Sequence, residues 1–231
     1  MKVVILGTAH GSNVAGKRSP DGLFREFRYS REVVNLIKPK LEAKGYVVFI
    51  DIPEDIVPMP QSAELQKRAS IVNSLCDKYG TDNCIYVSIH INAAGAEGKW
   101  LGAGGWCAYT TVGTTKSDTL AECLYEAAEE ELRDYTNRMV QGKLSGHYTT
   151  QQRPIRTDKV DGDDDIESNF YVLRHTKCAA VLTENLFQDN KADVSYLMSE
   201  RGKEAIVNLH IKGIVKYLSK KVSFCYTHGE R

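Results

Sequence analysis

The sequence predicts a single α/β domain, a mostly parallel twisted sheet flanked by helices on both faces. Three observations predict it. Short runs rich in β-branched residues recur along the chain. Longer amphipathic segments alternate with them, the pattern that lays helices over a parallel sheet. The 231 residues suffice for one well-buried core, and 42 % apolar and 26 % charged residues are ordinary globular proportions.

The first strand is expected at Val3–Gly7, a β-branched run closed by glycine. A long Gly/Ser/Asn/Pro loop follows over Ala9–Arg25. The first helix is expected over Phe27–Lys44, with Val33, Val34, Ile37 and Leu41 on one face and a kink at Pro39. Tyr46–Ile50 reads as the second strand. Ala63–Tyr79 reads as a helix with Leu65, Ala69, Val72 and Cys76 inward. Cys84–His90 and Trp106–Thr110 are further strands. Ser117–Arg138 is the third long helix, carrying Leu120, Leu124, Ala127 and Leu132. Val140–Asn169 is polar and irregular. Tyr171–Leu173 and Ala179–Glu184 read as strands, and Lys203–Leu218 as the last helix, with Ile206, Leu209, Gly213 and Tyr217 on one face.

Composition excludes some functions. Lysine plus arginine and aspartate plus glutamate each number 30, so the net charge is zero, which argues against a dedicated nucleic-acid binder. No apolar stretch is long enough to span a membrane. The N-terminal apolar run covers only Val3 to Leu6, with no cleavage site after a longer apolar core. It reads as a strand rather than a signal peptide, and the chain is expected to be made in the cytoplasm. Six cysteines occur without a CxxC pair, and buried free thiols are the reading.

In parallel sheets the ligand site lies beyond the carboxyl ends of the strands. His90 ends one predicted strand, His10 follows another and Glu184 ends a third. An open catalytic zinc site takes about three His or Glu ligands. His10 and His90 are two candidates, though each also reads as a satisfied histidine at a strand end. Glu26 opens the first helix at the same edge as His10, and Glu32 is its rival. Glu184 ends a buried apolar strand, so it needs a partner or a raised pKa. It is either a general base or the partner of a neighbour such as Arg174.

The chain resembles the zinc-dependent N-acetylmuramoyl-L-alanine amidases of the amidase-3 family, on five motifs in order from Lys2 to about Leu218. "TAHGSNVAG" resembles the family's GHG-type turn. "EFRYSREVVNLIKPKLEAKGYVV" resembles its glutamate-headed helix, and that spacing selects Glu26 over Glu32. "LQKRASIVN" resembles its L-x-x-R-x-x-x-A-N segment, "SIHINA" its S-x-H-x-N-A, and "NFYVLRHTKCAAVLTENLFQDN" its final block. Ala9 replaces a usual glycine, the GKRSPDG loop is longer than the common form, and Cys178-Ala179 replaces Pro-Ala.

The resemblance implies that His10, Glu26 and His90 ligate zinc and that Glu184 is the catalytic acid/base. It implies that Asn92 supports the site or binds substrate, and that Arg68 and Asn73 hold the fold. The implied enzyme is a peptidoglycan hydrolase that uses zinc-activated water to cleave the amide between N-acetylmuramic acid and L-alanine of the stem peptide. The alternatives are a catalytically silent peptidoglycan-binding module and a zinc peptidase acting on another amide. Residues 1–219 would form the catalytic domain, with 111–169 as a helix-plus-loop insertion and candidate lid, and 220–231 a tail. The expected partner is peptidoglycan, with no nucleic acid and no membrane insertion. A phage lysis enzyme, a delivered effector and a wall autolysin with a truncated start all fit a chain acting on the wall after release or delivery. Lys17, Arg18 and Arg153 are candidates for stem-peptide carboxylates, or solvated loop charges. His147, His175, His210 and His228 lack matching partners. The run Asp161 to Asp165, "DGDDD", is a candidate for calcium, but it lacks the EF-hand pattern and a solvated loop is the favoured reading.

Overall fold

A computed structural model describes residues 1–95, 98–140, 154–159 and 161–226. The strands are β1 (Val3–Thr8), β2 (Val47–Ile50), β3 (Cys84–Asn92), β4 (Trp106–Thr110), β5 (Ile166–Glu167) and β6 (Ala179–Phe187). They form one sheet in the order β2-β1-β3-β6-β4-β5. β2, β1, β3 and β6 run parallel. β4 joins β6 antiparallel and carries β5 parallel to itself. The N-terminal apolar run is therefore β1, a buried interior strand.

The helices are α1 (Glu26–Glu42), α2 (Gln61–Tyr79), α3 (Lys116–Glu131), α4 (Arg133–Val140), α5 (Tyr171–Arg174), α6 (Lys191–Met198) and α7 (Glu200–Tyr226). Side chains alternate across the strands. Val4, Leu6, Ile85, Val87, Ile89 and Val181 enter the larger core with α1, α3, α6 and α7. Val3, Ile5, Cys84, Tyr86, Ala180 and Leu182 face a smaller core under α2 and α5. Both faces are covered, unequally.

Several expectations change. Tyr171–Leu173 is a helical turn, not a strand. The amides of Leu173 and Arg174 both bond the Phe170 carbonyl at 3.1 Å, and the turn buries Val172 and Leu173 in the smaller core. Packing overrides the β propensity of this short run. The long helix expected over 117–138 breaks at Leu132 into α3 and α4. Its N-terminus is fixed by a capping box between Thr115 and Asp118. Of the segment read as an insertion and candidate lid, residues 116–131 form a helix packed on α7, β4 and β6. Residues 141–153 lie outside the described residues. α1 runs through Pro39, three residues before its end, and the Ala43 amide closes its last turn on the Pro39 carbonyl at 3.0 Å. α7 extends through 220–226 of the stretch read as a tail. α6 and β5 were not expected. The cue for α6 was Asn190, whose side chain accepts from the amides of Ala192 and Asp193.

Candidate active site

The smaller core ends short of the carboxyl edge of the sheet. Along β3 the residues facing α2 run Cys84, Tyr86, Ser88, His90, and along β6 they run Ala180, Leu182, Glu184. Polar residues enter these rows toward the carboxyl edge, at Ser88 and His90 on β3 and at Glu184 on β6, where residues of α2 and α5 form a cleft wall instead of closed core. A cleft of about 300 Å³ opens there, lined by His10, Lys17, Arg68, His90, Phe170 and Glu184 among others. His90 and Glu184 are direct register partners on adjacent strands.

His10, Glu26 and His90 converge, with one potential ligand atom from each lying within 4.8 Å of the others. The two imidazoles meet edge to face, centroids 5.2 Å apart. Glu26 is the first residue of α1 and only 1 % exposed. Its Oε1 accepts from the Ile91 amide at 3.1 Å and lies 3.2 Å from His90 Nδ1. Its Oε2 is buried with no hydrogen-bond partner. Burial opposes ionisation of Glu26, but the His90 hydrogen bond and the nearby histidines outweigh it and hold its carboxyl below the usual range. Burial, then His90, lowers the His10 pKa to about 3, so this imidazole is neutral and free to donate a lone pair. Two neutral-capable nitrogens and a carboxylate are a donor set suited to a borderline divalent ion.

Glu184 stands beside this cluster. Its Oε2 is buried and unpartnered. Burial, then the Glu26 charge, pushes its carboxyl well above the usual range, against a smaller opposing pull from Lys17. No ion pair joins it to Arg174, which is exposed.

Sequence reading missed the residues that hold the cluster. Ser30, one turn after Glu26, accepts from the Ala9 amide at 2.8 Å and donates to the Ile89 carbonyl at 2.7 Å. It thus clamps the residues that precede both histidines. Arg31 donates to the carbonyls of Ala9 and His10, both at 2.8 Å. Asn185 donates to the His90 carbonyl at 2.9 Å and is oriented by Trp106 Nε1 at 2.9 Å. The i, i+4 spacing of Glu26 and Ser30 was the available signal, since it puts both on one helix face.

Other candidates separate. Asn92 ends β3 with its amide toward Cys107 and its Oδ1 on the Ala93 amide at 2.8 Å, and it does not line the cleft. Glu32 pairs with Lys203 of α7, away from the cluster. Asn73 joins α2 to the segment before β6, through the His175 carbonyl at 2.7 Å and the Lys177 amide at 2.9 Å. His210 is a core histidine between Thr183 Oγ1 and the Ile206 carbonyl. His175 stacks on Tyr171. Cys76, Cys84, Cys107, Cys123 and Cys178 are buried thiols that form no disulfide. Arg153, His147 and His228 lie outside the described residues.

The chain matches a family model described as N-acetylmuramoyl-L-alanine amidase over residues 4–216. A curated relative, N-acetylmuramoyl-L-alanine amidase AmiC of Neisseria meningitidis serogroup B, is 26 % identical over 95 % of this chain. The match covers 53 % of that relative, so the chain spans about half its length. Among solved structures, an N-acetylmuramoyl-L-alanine amidase from Clostridium difficile 630 superposes with a TM-score of 0.71 at 20 % identity, over 95 % of this chain and 98 % of that one. The CwlD amidase of Clostridioides difficile, solved with the GerS lipoprotein, gives a TM-score of 0.68 at 20 % identity, over 95 % and 100 %. Both share the fold.

Proposed function

The chain belongs to the N-acetylmuramoyl-L-alanine amidase family, and we propose that it hydrolyses the amide between N-acetylmuramic acid and L-alanine of peptidoglycan. The observation that carries this reading is the His10–Glu26–His90 cluster beside a carboxyl of raised pKa. The donors fit zinc. Glu26 Oε2 is buried and lacks a donor, and His10 is neutral at physiological pH. His10, Glu26 and His90 would hold a zinc ion, which when bound would supply Lewis acidity toward the amide carbonyl and acidify water.

The remaining work falls to the chain. Glu184 is the general base that takes a proton from the attacking water and returns it to the departing alanine nitrogen. Burial and the Glu26 charge raise its pKa, and a divalent ion held by the cluster would favour the ionised form that accepts this proton. Ser30, Arg31 and Asn185 fix the backbone on either side of the histidines, so the cluster is preorganised. Asn92 supports the rim by fixing the turn after β3. Lys17, at the mouth of the cleft, is placed to meet a stem-peptide carboxylate. Residues 1–219 form the catalytic unit, and it acts on the cell wall.

Purified sacculi incubated with the zinc-loaded protein should release free stem peptides that begin with L-alanine, identified by mass. A chelator should stop the release. Glu184→Ala should bind zinc and sacculi as the parent does and lose turnover by about 10³-fold or more. Undiminished hydrolysis by that variant, or products still joined to sugar, would overturn the assignment.

A further inference from the structure

The run Asp161-Gly162-Asp163-Asp164-Asp165 is not the solvated loop that its composition suggests. It leads into β5, beside the end of β4. Because β4 runs antiparallel to β6, this corner lies at the sheet edge opposite the cleft. Asp165 is 2 % exposed. One of its oxygens accepts from the Thr110 hydroxyl, and the other, Oδ1, is buried with no hydrogen-bond partner. Oδ1 of Asp163 is likewise buried and unpartnered.

The surroundings offer these oxygens more negative charge. Burial, with Asp163, Asp118 and Asp161 nearby, raises the Asp165 pKa to about 7 despite the Thr110 hydrogen bond. Burial, then Asp161 and Asp118, raises Asp163, whose carboxyl lies in hydrogen-bond reach of those of Asp161 and Asp165. Asp118 brings no donor, because its carboxylate only accepts, from the Thr115 amide and hydroxyl. Lys159 is committed to Asp164, on the outer side of the loop. Burying an oxygen without a donor costs free energy, and packing like charges beside it costs more. A cation removes both costs at once. The ligand atoms are all hard oxygens, which select calcium or magnesium over zinc. Aspartates at every second position of a bending loop suit the flexible six- to eight-fold calcium shell better than a strict octahedron. The first half of an EF-hand loop has the same alternate spacing, but here a strand follows and no EF-hand is formed.

We propose that Asp161, Asp163 and Asp165 form a calcium site that fastens this loop to the end of β4, apart from the His10–Glu26–His90 cluster. The site is structural. Calcium bound there ties β5 and the start of α3 to the sheet and takes no part in the hydrolysis.

The test uses the full chain, stripped of metal and reloaded with one equivalent of zinc. Titration with calcium chloride should show one further ion bound per chain by calorimetry. Calcium a hundredfold above its dissociation constant should raise Tm by roughly 5–10 °C. Asp163→Asn and Asp165→Asn should abolish both responses, and Asp164→Asn should keep them. Zinc content should be unchanged in all three. The sign in calcium-free buffer is the opposite. Asp165 is protonated below its raised pKa, and the stability this gives is lost as pH rises from the ordinary carboxyl range through about 7, so at pH 8 Asp165→Asn should melt no lower than the parent without calcium and lower than the parent with it. If Asp165→Asn does not fold, the exposed Asp161→Asn serves, with binding weakened at least tenfold. No heat and an unchanged Tm at millimolar calcium would refute the site, and so would an equal calcium response in Asp163→Asn.

Discussion

Glu184 and Glu26 carry opposite shifts within one cluster, and burial alone cannot produce that. Glu26 gains the Ile91 amide and the nearby histidines, so its charge is favoured. Glu184 gains no donor for Oε2 and faces the Glu26 charge, so its proton is favoured. Pairs of carboxyls pushed apart in this way separate an anionic holder from a proton-transfer group. The metal-free protein should report this directly. The folded pKa of Glu184 lies above its unfolded value, so its contribution is fully present at acid pH and is lost as pH rises through the folded value. Glu184→Gln should therefore match the parent near pH 4 and exceed it by about 1–3 kcal/mol at pH 8 in urea unfolding. Equal stability at both pH values would mean that the carboxyl is not held in its neutral form. His10, His90 and Glu184 were readable from the sequence because strand ends expose their terminal side chains. Glu26 needed the motif spacing as well, since a first-turn acid is common at any helix start.

At the scale of elements, the long helices were legible because their apolar faces repeat every 3.6 residues, and their ends were less so. α7 outruns its expected limit, and the expected 117–138 helix breaks at Leu132, where φ is −94° and ψ is 1°. Tyr171–Leu173 shows why short runs mislead, since three apolar residues fit a strand or a helical turn equally well. Gly213 illustrates a contact hidden from periodicity. It lies where α7 crosses α3, and a Cβ there would come within 2.9 Å of Leu124 Cα and 3.0 Å of the Cys123 carbonyl. Gly213→Ala gains about 1 kcal/mol of helix propensity and sets it against backbone overlap that costs roughly 1–3 kcal/mol or more. The net outcome should be a lower midpoint of denaturant unfolding with an unchanged slope. A variant at least as stable as the parent would show that α3 and α7 are free to separate.

Across the whole molecule, one buried ionic network ties the sheet to α2 beneath the cleft. Arg68 donates to Asp51 at 2.6 Å and to Glu64 at 2.7 Å, and Asp51 also accepts from the Thr8 amide and the Tyr86 hydroxyl, both at 2.9 Å. Asp51 and Glu64 are among the buried charged residues, so Arg68→Ala leaves two carboxylates unpaired and should cost about 3–5 kcal/mol in thermal or chemical unfolding. A smaller loss than 1 kcal/mol would show that water or a neighbour replaces the guanidinium. Arg68 was legible as part of a motif and Glu64 lies one turn before it on the same helix face, but nothing local links Asp51 to either. The amino-acid sequence by itself determined the α/β class, the parallel strand–helix alternation and the strand-end histidines, since these follow from periodicities of two and 3.6 residues. Tertiary structure alone decided which aspartates are buried, which carboxyl keeps its proton and which backbone groups hold the histidines. Those properties depend on desolvation and on charges from residues far apart in the chain, and such distances exist only once the sheet has closed.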